Sequence, residues 1–133
     1  MNSAAIENVL LLADVDPGLT TYQLIIDLSS PCILEIGRLG RFPFPQGRYV
    51  YTGSARRHLG PRLKRHLSHR KNARWHIDYF LAHRRARIVD VICSLMPECR
   101  LNQQQRGDIL VHRFGASDCR EQCGSHFKYM STL

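Results

Sequence analysis

The segment best suited to chemistry begins at Tyr51 and continues into Arg62 and His66. A run of β-branched and aromatic residues ends in Tyr51-Thr52-Gly53-Ser54, and Gly60-Pro61 then begins a helix rich in positive charge. This order predicts an exposed tyrosine beside an arginine carried by a helix. Such a pair can hold a phosphodiester and activate water against it, because a guanidinium binds phosphate oxygens in bidentate fashion.

Hydrolysis of a phosphodiester requires an activated water, neutralisation of charge at the scissile phosphate, and help for the leaving oxygen. One metal ion and an arginine provide most of these functions. The chain offers six side chains of suitable types: Tyr22, Tyr51, Arg62, His66, His76 and Glu98.

The charge of the chain predicts a polyanionic partner. The net charge is +8, and 16 of the 19 cations are arginines, although a high-GC genome gives the same bias. Residues 56–87 hold eleven of the cations together with Trp75, Tyr79 and Phe80, a mixture typical of a nucleic-acid surface and otherwise of a solvated face. The side chains expected to bind the phosphate backbone are Arg56, Arg57, Lys64, Arg65, His66, Arg70, Lys71 and Arg74.

Hydrophobic periodicity and turn residues predict one domain over residues 19–133, preceded by a lead-in over residues 1–18. Strands are expected at Thr20–Leu28, Cys32–Ile36, Arg48–Thr52, Arg87–Leu95 (a central strand), Ile109–Val111 and Ser125–Met130, with a proline-rich loop at Phe42–Gly47. Helices are expected from Gly60-Pro61, from Ala73 to His83 with Asn72 as cap, and from Pro97 to Gly107. These elements predict an α+β fold, a small mixed, largely antiparallel sheet flanked by about three helices.

The sequence contains no apolar run near the roughly 18 residues that cross a membrane. The apolar run at Val9–Ala13 lacks a basic leader, so we expect no secretory signal. We therefore expect no membrane partner and a cytoplasmic location.

Five cysteines, an odd number, favour reduced thiols over a disulfide framework. Cys119, Cys123 and His126 could offer soft ligands to a metal, with Cys99 as a fourth. Their spacing is not a standard zinc pattern, so buried thiols are the preferred interpretation. A Cys/His nucleophilic pair is a further alternative, but no third orienting group is evident.

The chain resembles the GIY-YIG nuclease superfamily over roughly residues 20–129. Tyr51-Thr52-Gly53 stands where the family has Tyr-Ile-Gly, and Thr20-Thr21-Tyr22 stands where it has Gly-Ile-Tyr, with Thr20 replacing the first glycine. The helix bearing Arg62-Leu63-Lys64-Arg65-His66 matches the family's continuation. Further segments resemble one branch of small stand-alone domains: Trp75-His76-Ile77-Asp78-Tyr79, Glu98-Cys99 and Phe114-Gly115-Ala116-Ser117-Asp118-Cys119.

The resemblance implies a role for each candidate. Arg62 would bind the scissile phosphate, and Glu98 would be the sole protein ligand of one Mg²⁺ or Mn²⁺ ion. Tyr22, Tyr51 and His76 would orient or activate the attacking water. Each has a plainer interpretation: a surface arginine, an acid favoured in the first turn of a helix, tyrosines favoured in strands, and a histidine paired with Asp78.

The expected function is that of a metal-dependent endonuclease acting on nucleic acid, DNA more than RNA. One alternative is a binding module that keeps the GIY-YIG fold without catalysis, and another is an interaction domain with a Cys/His metal site. Because a domain this small reads little sequence alone, a protein partner or a homodimer could supply targeting.

Overall fold

The computed structural model describes residues 19–55, 59–68, 72–117 and 119–132. Its strands are β1 (Thr21–Leu28), β2 (Cys32–Glu35), β3 (Arg41–Phe44), β4 (Gly47–Ser54), β5 (Ala86–Ser94) and β6 (Phe127–Ser131). Its helices are α1 (Leu59–Leu67), α2 (His76–Leu81) and α3 (Glu98–Gln104), and a short 3₁₀ turn covers Gly37–Leu39. The lead-in predicted for residues 1–18 lies outside the described residues.

The main sheet has four antiparallel strands in the order β5-β1-β4-β6, and β2 and β3 form a separate hairpin. Three helices accompany these sheets in the described part of the chain, so the predicted α+β class with a largely antiparallel sheet is confirmed. None of the helices in this part is long and apolar enough to cross a membrane.

The core is built by strand alternation. Tyr22, Leu24, Ile26 and Leu28 share one face of β1, since side chains of period two point the same way, and none is more than 1% exposed. They join a cluster that includes Leu63 of α1 and Ile77 and Phe80 of α2. Burial of these aliphatic and aromatic side chains, worth about 1.5–3 kcal/mol each, holds the helices to the sheet.

An aromatic group fixes the last strand and the loop before it. The Phe127 ring of β6 stacks on Phe114 with centroids 4.4 Å apart and on Tyr49 of β4 at 5.0 Å. Phe80 of α2 meets the same ring edge-on at 4.8 Å. The loop carrying Phe114 is therefore anchored against the centre of the sheet.

Three strand predictions were wrong. Residues 41–44 form β3 instead of a loop, and Pro43 is tolerated there because β3 pairs with β2 alone and a proline can occupy such an edge. β5 is an edge strand, since it pairs only with β1; its apolar run Ile88-Val89 and Val91-Ile92 resembled a central strand. Residues 109–111 form no strand, because pairing stops after one bridge between Asp108 and Tyr129.

The second helix starts later than predicted, at His76 after Trp75 instead of at Ala73 after Asn72. Asp78 explains the shift. Its carboxylate accepts the backbone N–H groups of Trp75 and Arg74, both at 2.9 Å, and caps the first turn from within. Arg65 of α1 binds the same carboxylate in bidentate fashion at 2.9 and 3.0 Å, which ties the two helices together.

We predict that Asp78→Asn lowers the free energy of unfolding by about 3 kcal/mol, because it leaves the half-buried Arg65 guanidinium and two backbone amides poorly satisfied. Asp27→Asn is the matched control. Asp27 also makes a bidentate pair, with Arg48 at 2.7 and 2.9 Å, but Arg48 is 47% exposed, so the loss should stay below about 1 kcal/mol. Urea denaturation measures both, and equal losses would contradict the structural role of Asp78.

The same carboxylate makes stability depend on pH. Burial raises the pKa of Asp78, but the bonds from Arg65, Trp75 and Arg74 outweigh it and hold the pKa below its ordinary value. A depressed folded pKa gives stability that is complete above the unfolded pKa of about 4 and is lost as pH falls through the folded pKa. When the free energy of unfolding is measured by urea denaturation at several pH values, Asp78→Asn should lack this loss of stability at acid pH.

Candidate active site and Cys/His cluster

Ser54, the last residue of β4, joins the two most important candidates. Its carbonyl accepts an N–H from the Arg62 guanidinium of α1. Its hydroxyl donates to Oε1 of Glu98, the first residue of α3, at 2.5 Å. A cation and a carboxylate are thus fixed on the two sides of one residue at the end of a strand.

Tyr22 and His66 form a buried pair beneath this junction. The Tyr22 hydroxyl lies 2.6 Å from His66 Nε2, and the residues are 1% and 2% exposed. Gly53 permits this packing, since a Cβ there would lie 2.6 Å from the Tyr22 hydroxyl oxygen. Burial, with smaller contributions from Tyr51 and Glu98 against an opposing one from Arg62, raises the pKa of Tyr22 well above its ordinary value. Tyr22 is therefore a neutral phenol, poorly suited to act as a base.

Tyr51 lines a pocket of about 280 Å³. The pocket lining is Tyr51, Arg74, Trp75, His76, Gly115 and Ser117. The expectation of an exposed tyrosine was wrong: Tyr51 is only 8% exposed, because its ring packs near His66 of α1 and against Gly115. The Arg62 guanidinium lies 4.7 Å from the centroid of the Trp75 ring, so a planar cation stands next to the pocket.

His76 is held in one tautomer. The Gly115 backbone N–H donates to His76 Nδ1 at 2.9 Å, so in the neutral ring the proton is on Nε2. Burial and the charge of Arg113 lower the pKa of His76, which favours this neutral form. The partner is therefore Gly115, 39 residues away, and Asp78 is engaged by Arg65.

Glu98 is ionised at neutral pH. Burial raises its pKa, but His126, Ser54 and the charge of Arg62 outweigh this effect, and the pKa of Glu98 lies below its ordinary value. The side chain stays 27% exposed, and its second oxygen lies 2.5 Å from His126 Nδ1. Such a partly open carboxylate is a suitable ligand for a hard cation.

The Cys/His residues form a compact group on the other side of Glu98. Cys99, Cys119, Cys123 and His126 each present a ligand atom, and these atoms lie within 4.8 Å of one another, so the group could hold a metal ion. Cys99 Sγ lies 3.5 Å from Cys119 Sγ and 3.9 Å from His126 Nε2. Sulfur ligands do not suit Mg²⁺.

The expected phosphate-binding side chains occupy different environments. Lys64 and Arg74 are exposed. Arg65 binds Asp78 and stacks 4.3 Å over Trp75, and His66 is buried against Tyr22, which argues against direct phosphate contact by either. The remaining candidates, Arg56, Arg57, Arg70 and Lys71, lie outside the described residues.

We predict that Tyr22→Phe lowers the free energy of unfolding by about 1–3 kcal/mol, because a buried imidazole nitrogen loses its partner. Tyr129→Phe removes a hydroxyl that donates to the Gln46 carbonyl at an exposed site, so this control should lose less than about 1 kcal/mol. Thermal and urea denaturation measure both. A Tyr22→Phe protein as stable as wild type would exclude a structural role for the pair.

Residues 21–133 match the family described as "domain of unknown function DUF123". Comparisons with curated proteins and with solved structures found no match. Because the family model covers most of the sequence, the chain belongs to the DUF123 family.

Proposed function

We propose that the protein is a divalent-metal-dependent endonuclease that hydrolyses phosphodiester bonds in DNA. The observation that carries the proposal is the junction at Ser54, which sets the Arg62 guanidinium and the Glu98 carboxylate side by side. A phosphate needs the first for charge neutralisation, and a divalent cation needs the second as ligand.

Arg62 binds the phosphate that is cleaved. One of its N–H groups is used by the Ser54 carbonyl and its face lies near Trp75, which together hold the guanidinium plane in place. Arginine has five N–H donors in a fixed fork, so donors are left for two phosphate oxygens. A guanidinium oriented before substrate binds loses little entropy on binding.

Glu98 fits Mg²⁺ or Mn²⁺ as the protein ligand of one ion. It is ionised, partly exposed and an oxygen donor, and Mg²⁺ in proteins commonly uses one or two carboxylates together with water and substrate phosphate. When bound, the ion would supply charge neutralisation and a more acidic water.

Tyr51 and His76 act from the pocket wall. His76 offers Nε2–H, so it donates a hydrogen bond to a phosphate oxygen and does not take a proton from water through that nitrogen. Tyr51 orients the attacking water. Tyr22, being buried and neutral, supports Tyr51, with ring centroids 6.4 Å apart.

Three further observations support a nucleic-acid substrate. The sequence resembles the GIY-YIG nucleases, the net charge is +8, and exposed Arg74 lines the same pocket as Tyr51 and His76.

A cytoplasmic location accords with five free thiols, as in a reducing compartment.

Arg62→Ala should reduce the rate of DNA nicking in Mg²⁺ or Mn²⁺ by on the order of 10²–10³ while duplex binding persists. Arg62→Lys should recover part of the rate, because it keeps the charge without the fork. The control is Arg41→Ala. Arg41 is exposed on β3 of the hairpin, and this variant should cleave DNA as the wild type does. Supercoiled, linear, branched and single-stranded DNA, and RNA, should be compared.

Glu98→Gln should nick much more slowly and need a higher Mg²⁺ concentration for any remaining activity, because the amide is a poor ligand for the ion. Nicking by Arg62→Ala at the wild-type rate would refute the proposal. Wild-type protein that binds DNA yet cleaves no substrate with either ion would identify the alternative, a binding module without catalysis.

Lys64→Gln and Arg74→Gln should weaken binding to all DNA sequences alike. If each side chain neutralises one phosphate, each substitution lowers the slope of log K against log salt by roughly 0.9. Fluorescence anisotropy between low and moderate salt measures the slopes. Arg41→Gln serves as control, and an unchanged slope in the first two variants would remove this surface from the binding site.

A further inference from the structure

We propose that Cys99, Cys119, Cys123 and His126 bind one Zn²⁺ ion as a structural site that is separate from the Mg²⁺ or Mn²⁺ ligand. The cluster joins the start of α3 to the loop that precedes β6. The inference rests on the geometry of these four side chains and does not depend on nuclease activity.

The distances fit a tetrahedral ion. With Zn–S near 2.3 Å and Zn–N near 2.0 Å, tetrahedral ligands are separated by about 3.8 Å for two sulfurs and about 3.5 Å for sulfur and nitrogen. The measured separations are 3.5 Å for Cys99 Sγ to Cys119 Sγ and 3.9 Å for Cys99 Sγ to His126 Nε2. All the ligand atoms lie within 4.8 Å of one another, so small side-chain adjustments complete the site.

The ligand set selects the metal and its role. Three cysteine sulfurs and one imidazole are soft and borderline ligands, typical of Zn²⁺ and unsuited to Mg²⁺ or Ca²⁺. Four protein ligands fill a tetrahedron and leave no open position for water or substrate. Such closed sites stabilise a fold and do not activate water.

A metal ion would cross-link a loop that has little regular structure. Its described residues between α3 and β6 contain no helix or strand, apart from the single bridge at Asp108. Segments this long without regular structure are uncommon in compact domains. Gln122 and Gly124 have positive φ angles of 56° and 78°, which turn the chain back so that Cys119, Cys123 and His126 converge.

His126 connects the cluster to the candidate active site. Its Nε2 faces Cys99, and its Nδ1 lies 2.5 Å from Glu98 Oε2. Zinc bound at Nε2 would replace any proton there and leave the Nδ1 proton toward Glu98. A carboxylate on the second nitrogen of a zinc-binding histidine is a common arrangement that fixes the ring.

Metal analysis of wild-type protein purified in reductant without chelator tests the proposal directly. We expect about one zinc per chain. Cys119→Ser should hold less than about a tenth of that amount, because one thiolate ligand is lost. Cys32→Ser and Cys93→Ser are matched controls, since these thiols lie on β2 and β5 outside the cluster, and both should keep full zinc.

Thermal unfolding gives a second readout that does not involve activity. Stripping the wild type with a chelator should lower Tm by on the order of 10 °C, and Zn²⁺ but not Mg²⁺ should restore it. Co²⁺ added to the stripped, reduced protein should give the strong visible absorption of a tetrahedral thiolate site. These measurements remain decisive if Cys119→Ser fails to fold.

Each contrary result would overturn the zinc site. Wild type without zinc and without a Tm or Co²⁺ response would leave four ordinary thiol and imidazole groups. Stoichiometric iron would assign another metal, full zinc in Cys119→Ser would place the ion elsewhere, and a Cys99–Cys119 disulfide found by thiol counting would replace coordination with covalent pairing.

Discussion

The arrangement of the candidate site depends on the position of Ser54. Ser54 pairs with Thr21 of β1, and the Thr52 N–H donates to the His126 carbonyl just before β6, so the end of β4 cannot shift without breaking backbone hydrogen bonds. The serine carbonyl holds Arg62, and its hydroxyl holds Glu98. The helices α1 and α3 are thereby both attached to the end of β4, and a guanidinium and a carboxylate are held at the same residue.

Local patterns predicted most of the fold. Leu59, Leu63 and Leu67 recur every four residues on α1, and the first two are buried while Leu67 is half-buried; β1 covers Thr21–Leu28 within the strand expected at Thr20–Leu28. The errors arose where contacts with residues far away in the sequence determine the bounds or the position of an element. Arg65 reaches Asp78 and moves the start of α2, and β5 lies at an edge because of strand order, which no local pattern contains.

The types of the site residues were also predictable, but their states were not. Strand and helix patterns place Tyr22, Tyr51 and Arg62 correctly. The burial of Tyr51, the bond between Tyr22 and His66 across 44 residues, and the tautomer of His76 follow from pairing and loop packing instead. The strand was expected to end at Thr52, whereas β4 continues through Gly53, which makes room for Tyr22, and Ser54, which anchors two charged side chains.

The two carboxylate oxygens of Glu98 contact different parts of the structure. Oε1 accepts a hydrogen bond from the Ser54 hydroxyl, and Oε2 faces His126. The side chain therefore connects the end of β4 to the loop that carries Cys119, Cys123 and His126. Any movement of that loop would rotate the carboxylate relative to Arg62. The aromatic stack of Phe114 on Phe127 holds one end of the loop, and His126, whose backbone N–H donates to the Phe114 carbonyl, holds the other. The loop that carries Cys119, Cys123 and His126 therefore sets the geometry of the acid on which the proposed enzymatic function depends.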